Sequence, residues 1–328
     1  MKKRTLGKTG FEISEVSLGT WQAGGKWGSG FDDKNAETII SSAIEKGVNF
    51  IDTADVYEAG KSEAAVGRVV RNISKKVYVA TKCGRQIKPH VSKEYTPERM
   101  RGFVEASLKN TGFETLDLIQ LHCPPRDVYY RPEIFGEFEK LKEEGKIHNL
   151  GVSVEKVEEA LKAIEYPNVA TVQIIFNMFR QRPADRFFAE AKKRNVGIIV
   201  RVPLASGLLT GKFTKDTTFD EGDHRYFNRE GAVFDKGETF AGVDFATGLK
   251  AVEELKELFS GNTPLAQLAL RWILMFPEVS CVIPGASKEE HIASNISASE
   301  LPPPDKEKME GVRKIYEEYI KPQVHQRW

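Results

Sequence analysis

Short apolar runs alternate with amphipathic stretches along most of the chain. NFIDTADVY, KVYVATK, LDLIQLH, KIHNLGVS, TVQII, GIIVRV and SCVI are brief, rich in β-branched residues, and bounded by glycine, proline or charge. That is how strands buried on both faces of a parallel sheet read. The pattern predicts strands over 16–18, 50–52, 77–82, 116–122, 147–153, 171–175, 197–202 and 280–283. Between them apolar positions recur at the helical period, predicting helices over 35–46, 63–71, 97–110, 132–144, 155–164, 184–194, 246–259, 264–276, 289–296 and 306–320. Several ends carry their own signals. Gly47 and Gly145 follow helix ends, and Thr96-Pro97-Glu98 supplies a cap, a proline and an acid at a helix start.

Eight strand–helix units with no linker-like break predict one (β/α)8 TIM barrel, an α/β fold spanning 1–328 as a single domain. Residues 4–13, turning at Lys8-Thr9-Gly10, read as an N-terminal β-hairpin closing the barrel bottom, and the last helices are extra C-terminal ones. A doubly wound sheet is the competing architecture, but its glycine-rich first turn is missing. The glycines of TWQAGGKWGSGF are interrupted by tryptophan and lysine and read as a loop. A polar, glycine-rich stretch runs over about 206–244, and its segment from Phe213 to Phe240 is too long for an ordinary barrel loop and predicts a lid or substrate clamp. Arg225, Tyr226 and Phe227 within it are placed to reach substrate or cofactor.

Composition narrows the function. Hydrophobic residues make up 40% of the 328 and charged residues 29%, enough for a core and a polar surface. A net charge of +1 without a basic stripe argues against nucleic acid and anionic membranes as partners. No apolar run has spanning length, and MKKRTLGKTGFEIS lacks the apolar core of a signal peptide. Three scattered cysteines (Cys83, Cys123, Cys281) and six histidines without ligand spacing point to a reducing, cytoplasmic setting with no disulfide and no metal. The expected association state is a monomer or weak oligomer.

The candidate chemistry sits where barrels keep it, at the C-terminal ends of strands. Asp52, Lys82 and His122 end the second, third and fourth predicted strands, and Tyr57 lies in the loop above Asp52. A tyrosine hydroxyl is a weak acid near neutral pH, with a reference pKa of about 10. A buried lysine beside it favours the phenolate and lowers that value, and Asp52 supplies the lysine's counter-charge. His122 can hydrogen-bond a substrate carbonyl. Together these groups protonate an oxygen that is becoming an alkoxide. Singly, each has a bland explanation: a cap, a solvated lysine, a core histidine, a packing tyrosine. Four accidents on one barrel face are a poor account. Cys123 follows His122 and Cys83 follows Lys82, so strand alternation is expected to turn both thiols away from the site.

FIDTADVYEAGKSEAAVG, VATKCG, LDLIQLH, GVS, VQIIFN, PLASGLLTGK and VIPGASKEEHIASN occur in the order and spacing of the aldo-keto reductases, which the chain resembles over nearly its whole length. The PLASGLLTGK and IPGAS segments are nearer to the bacterial and potassium-channel β-subunit-like branches. The resemblance implies an NADPH-dependent enzyme (NADH being the lesser expectation) that reduces aldehydes and ketones, with Tyr57 as general acid in a tetrad with Asp52, Lys82 and His122. A redox-sensing NADPH-binding subunit of the same fold with slow turnover is the alternative. A phosphate-sugar isomerase barrel is a more distant one.

The resemblance also distributes the cofactor. Gly19, Thr20, Trp21, Asp52, Ser153, Gln173 and Arg201 fall around the nicotinamide. Pro203, Leu204, Ser206, Leu208 and Lys212 fall along the pyrophosphate, and Gly285, Ser287, Lys288, His291 and Asn295 at the adenosine end. Ser287 and Lys288 open a helix, a position suited to a 2′-phosphate. Ser153 could equally be a helix N-cap, and Lys212 a solvated loop lysine. Trp21, Trp27, Tyr57 and His122 are the substrate candidates, with Trp328 a weaker one. Four residues depart from the family pattern. Val154 replaces an asparagine that would hold the carboxamide, Arg201 replaces an aromatic that stacks on the ring, His291 stands where glutamine or arginine is usual, and Ser294 where glutamate is usual. A guanidinium beside a ring that becomes cationic on oxidation would disfavour NADP⁺ unless a nearby anion offsets it.

Overall fold

The computed structural model describes residues 1–25 and 30–328. Two short strands, β1 (Lys3–Thr5) and β2 (Glu12–Ser14), pair antiparallel around a tight turn. Eight parallel strands follow: β3 (Leu18–Gly19), β4 (Phe50–Asp52), β5 (Tyr78–Cys83), β6 (Leu116–His122), β7 (Ile147–Ser153), β8 (Val169–Ile175), β9 (Gly197–Arg201) and β10 (Val279–Val282). They are hydrogen-bonded in sequence order. The sheet comes back on itself where Val16 and Gly19 bridge Val282 and Gly285, with Ser17 N–H donating to Val282 O at 2.9 Å. The result is a nearly closed (β/α)8 barrel.

The helices are α1 (Asp33–Glu45), α2 (Lys61–Val70), α3 (Pro97–Thr111), α4 (Pro132–Glu143), α5 (Val157–Ala163), α6 (Phe187–Lys193), α7 (His224–Phe227), α8 (Phe245–Phe259), α9 (Leu265–Ile273), α10 (Glu289–Ser297), α11 (Lys306–Ile315) and α12 (Lys321–Val324). The start of α3 is built as its sequence indicates: the Thr96 side chain accepts from Arg99 N–H, Pro97 occupies the first turn, and Gly112 ends the helix in the left-handed region. The expected start of α5 at residue 155 is two residues early. Glu159 reaches back to accept from the N–H groups of Glu155 and Lys156, which keeps both in the turn. The expected last helix bulges into a π-turn at Tyr316–Ile320.

The hairpin plugs the barrel's lower end. Leu6 is fully buried against Ile13, Phe50, Leu118, Ile199 and Cys281. Gly7 permits this close approach, since a Cβ there would sit 2.1 Å from the Gly197 nitrogen. An open cleft of about 490 Å3 lies at this end, lined in part by Arg4, Lys192 and Glu278. Arg4 spends its donors on Glu15 and on the carbonyls of Leu274, Phe276 and Val279. It therefore ties the hairpin to β10 rather than facing a ligand. Among the described residues no helix is long and apolar enough to cross a membrane.

Candidate active site

Asp52 lies at the centre of the upper barrel mouth. Its Oδ1 takes the Lys82 ammonium in a buried ion pair. Its Oδ2 accepts from Gln173 Nε2 at 2.7 Å and Gln120 Nε2 at 3.0 Å. Lys82 also donates to Thr53 O at 2.7 Å, and its nitrogen stands 3.4 Å from the Tyr57 hydroxyl. Tyr57 and His122 meet edge to face with ring centroids 6.2 Å apart. The structure thus brings all four expected residues together.

Backbone geometry explains how a loop tyrosine reaches a strand-end lysine. After Tyr57 the chain runs through three consecutive left-handed residues, Glu58, Ala59 and Gly60 (φ 49°, 54° and 86°), before α2 begins. Two of them are not glycine, a strained geometry of the kind that collects at functional sites. A hydroxyl chain pins this turn. Ser62 lies 2.8 Å from Thr20 and 2.9 Å from Thr53, joining α2 to the ends of β3 and β4.

The electrostatics differ from the sequence expectation in one respect. Burial raises the Tyr57 pKa, Lys82 lowers it, Asp52 raises it again, and the net displacement is upward. The lysine alone would have lowered it; desolvation, with Asp52 cancelling part of the cation's field, wins. Burial works against the Lys82 ammonium, but Asp52 and Tyr57 more than restore it, so its pKa ends above the ordinary value. His122 goes far down, through burial and then through Lys82, Arg85 and Arg201. The site at neutral pH is therefore a lysine cation, a neutral phenol and a neutral imidazole. Among the described residues the buried Nδ1 of His122 has no hydrogen-bond partner.

Gln120 was not singled out in the sequence, yet it completes the Asp52 cage. Its signal was there: in LDLIQLH it shares the parity of His122, a polar residue on an otherwise apolar inward face. Gly151 makes room for it, since a Cβ at 151 would meet Thr171 Oγ1 at 2.2 Å and Gln120 Cγ at 3.2 Å.

Ser153 and Gln173 are register partners on β7 and β8, both buried. The helix cap expected of Ser153 is not formed, because α5 starts at Val157. Val154 is fully buried, with its N–H on Gln173 O and its carbonyl accepting from Arg201. Arg201 is not free to stack: one Nη reaches Val154 O at 3.1 Å and Cys123 Sγ at 3.5 Å, and the other lies 3.3 Å from Glu238. Glu238 is the anion that offsets the Arg201 charge.

Cys123 departs from the alternation argument. The strand ends at His122, and Cys123 takes φ 46°, turning its thiol back to the mouth beside Ser153 (3.6 Å) and Arg201. Burial raises the thiol's pKa to about 11, so it remains a protonated neighbour rather than a nucleophile. Cys83 stays buried, and among the described residues all three cysteines are unbridged.

Farther out, the loop after β9 lies over the mouth. Ser206 donates to Glu238 O at 2.7 Å, and Leu208 is buried against α8, leaving only its backbone to a ligand. Pro203 is buried, Leu204 partly so, and Lys212 is exposed. At the far rim Gly285 and Lys288 are exposed and Ser287 half-buried at the start of α10. His291 Nδ1 sits 3.4 Å from Ser287 N, Asn295 holds Gly285 O at 3.3 Å, and Ser294 accepts from Gln267. Gly19 and Thr20 line the near rim, and Trp21 packs its ring 5.0 Å from His224. Of residues 224–227, His224 rather than its expected neighbours is the buried one. Arg225 pairs with Asp223 and covers Phe219, Tyr226 is largely exposed, and Phe227 packs on Phe234. Trp328 lies under Arg180, 4.3 Å from ring centre to guanidinium, and against Gly237 and Gly242. It fastens the loop rather than lining the substrate space. Trp27 lies outside the described residues.

Comparison with known proteins agrees with this geometry. The model of the Aldo/keto reductase family matches residues 15–317. The chain is 30% identical to the aldo-keto reductase YhdN of Bacillus subtilis, over 88% of this chain and 86% of that one. It is 30% identical to a protein of Schizosaccharomyces pombe named as a putative voltage-gated potassium channel subunit beta, over 91% and 88%. The structure of the glycerol dehydrogenase AKR11B4 from Gluconobacter oxydans superposes with a TM-score of 0.78 at 31% identity, covering 97% of this chain and 96% of that one.

Proposed function

Because the chain belongs to the aldo/keto reductase family, we propose that it reduces aldehydes or ketones to alcohols with NADPH, Tyr57 delivering the proton. The observation that carries this reading is the Lys82 ammonium, locked by Asp52 and Thr53 O with its remaining reach directed to the Tyr57 hydroxyl. A phenol is a poor acid toward water, but it needs to match only the alkoxide it protonates. The fixed cation beside it stabilises the phenolate left behind, without reorganisation at the moment of transfer. Neutral His122 can donate one ring N–H to the substrate oxygen and so orient it toward Tyr57. Asp52, with both oxygens occupied, keeps Lys82 charged and in place.

The chemistry of the mouth fits a nicotinamide cofactor. Gln173 has its nitrogen engaged by Asp52 and Gln120, which leaves its oxygen to accept from a carboxamide, and Ser153 lies beside it. At the other rim the start of α10 has no side-chain cap among the described residues; the His291 N–H bonds Lys288 O, which leaves the first two N–H groups and the exposed Lys288 side chain to take a phosphate. When bound, NADPH supplies the two-electron reduction of the carbonyl carbon.

Consumption of NADPH absorbance with a panel of aldehydes tests the reading directly, and absence of any aldehyde-dependent loss would refute it. The pH profile tests the acid. Reduction needs protonated Tyr57, and its raised pKa keeps that form present through the ordinary tyrosine value. The kcat for reduction should therefore hold level to at least about pH 9. A decline centred near neutrality would show that Lys82 dominates instead. Lys288→Ala should weaken NADPH far more than NADH, raising the KM for NADPH by about 10-fold as a charge-assisted contact is lost; equal effects on both would remove Lys288 from the phosphate site.

A further inference from the structure

Three arginines and three carboxylates gather above the tetrad, and they come from different parts of the chain. Arg85 follows β5, Arg180 follows β8 and Arg201 ends β9, while Glu155 follows β7. These four belong to the barrel. The other two, Asp235 and Glu238, belong to the long loop. Arg201 lies 3.3 Å from Glu238, Arg85 3.9 Å from Glu238 and 3.5 Å from Glu155, and Arg180 3.9 Å from Asp235. Among the described residues the barrel alone thus presents three cations against one carboxylate, and the loop balances them.

The balance is electrostatic but poorly bonded. Among the described residues the buried Nε of Arg201 and the buried Nε and Nη1 of Arg180 have no hydrogen-bond partner. Glu238 meets Arg201 and Arg85 through one oxygen at ion-pair distance, not through the two parallel bonds a guanidinium can give a carboxylate. Its backbone is anchored separately, by Ser206. The carboxylate can therefore swing away while the loop stays in place. Glu155, crowded by burial and then by Glu238 and Asp235, has its pKa raised to about 7, a sign that two carboxylates compete for the same cations.

The position is next to the chemistry. Cys123, adjacent to His122, is 3.5 Å from Arg201, and the fields of Arg85 and Arg201 reach His122. The nicotinamide candidates Ser153, Gln173 and Arg201 adjoin it, while the pyrophosphate and adenosine candidates follow β9 and β10, on the other side from Arg85, Cys123 and Glu155, which extend from β5, β6 and β7. We propose that Arg85 and Arg201 receive the anionic head of the substrate, a carbonyl compound bearing a carboxylate or phosphate, and that Glu238 is an internal stand-in which that head displaces. This rests on the carbonyl-reductase reading and names its substrate class.

The test compares charged and neutral partners of one aldehyde in the NADPH-loaded enzyme: succinic semialdehyde against its methyl ester, and glyceraldehyde 3-phosphate against glyceraldehyde. At least one charged partner should be preferred in kcat/KM. Arg85→Gln should lower the charged-to-neutral ratio by about 30-fold, the size of a lost charge-assisted contact, and Glu238→Gln should raise it by about 5-fold. A ratio within one enzyme is insensitive to the fraction folded. Ratios near one that neither variant changes would overturn the proposal. So would an Arg85→Gln effect confined to the KM for NADPH, which would give the cation to the cofactor. If no aldehyde is reduced, the carbonyl-reductase reading fails by itself, and calorimetric titration with succinate and inorganic phosphate decides the anion site. Heat in the wild type that is lost in Arg85→Gln supports the site, and no heat in the wild type overturns it.

Discussion

Tyr57→Phe should abolish turnover while leaving NADPH binding nearly intact. The substitution removes one oxygen from a partly exposed ring and leaves the Lys82–Asp52 pair, the Gln120 and Gln173 contacts and the left-handed turn undisturbed. What is lost is the proton donor. The other groups cannot replace it: His122 is held neutral, with its pKa pushed down by burial and three cations, and Lys82 is held charged by Asp52. General-acid contributions are typically 10²–10⁴-fold, and an alkoxide with no adjacent acid should lose at least about the upper figure in kcat. Fluorescence titration with NADPH should give a dissociation constant within about 3-fold of wild type, well under 1 kcal/mol. Residual turnover near the wild-type rate would assign the proton to another group.

Lys82→Met should be the most damaging change to both activity and stability. Methionine fills much of the same volume, yet Asp52 is left at 2% exposure without its cation. Breaking a buried pair by removing one partner costs about 3–5 kcal/mol, which is a large part of an ordinary domain's stability. Gln120 and Gln173 still donate to Asp52, which places the expected loss toward the lower figure. Activity should fall with it, because the phenolate left after proton transfer then faces Asp52 with no compensating charge. Lys82→Met combined with Asp52→Asn should recover much of the stability and none of the turnover. Denaturant melts of the single and double variants read the first effect and NADPH oxidation the second. If the double variant were no more stable than the single, the ion pair would not be the source of the loss.

The residues that carry this chemistry were legible because each sits at the end of a short apolar run. Strands β4, β6 and β7 have the bounds their sequence indicates, since apolar β-branched stretches stop abruptly at Asp52, His122 and Ser153. Helices blurred where side chains reach back into turns, as Glu159 does ahead of α5. Gln120 was readable in principle, by parity, as the polar residue two before His122 on the inward face of the strand. The charge cluster was not readable. Arg85, Glu155, Arg180 and Arg201 are scattered over more than a hundred positions, and only barrel closure and loop folding set Glu238 among them. The same holds for the acidity of Tyr57, where the sequence shows the lysine but not how much water the fold removes.

The central claim is that this chain delivers a proton from Tyr57 to a carbonyl reduced by NADPH. The most direct measurement is the amount of alcohol formed per NADPH oxidised under multiple turnover, with an aldehyde in excess. The account predicts one alcohol for each NADPH in the wild type, and no alcohol with Tyr57→Phe despite bound cofactor. NADPH oxidised without alcohol, or alcohol formed equally well by the variant, would contradict it.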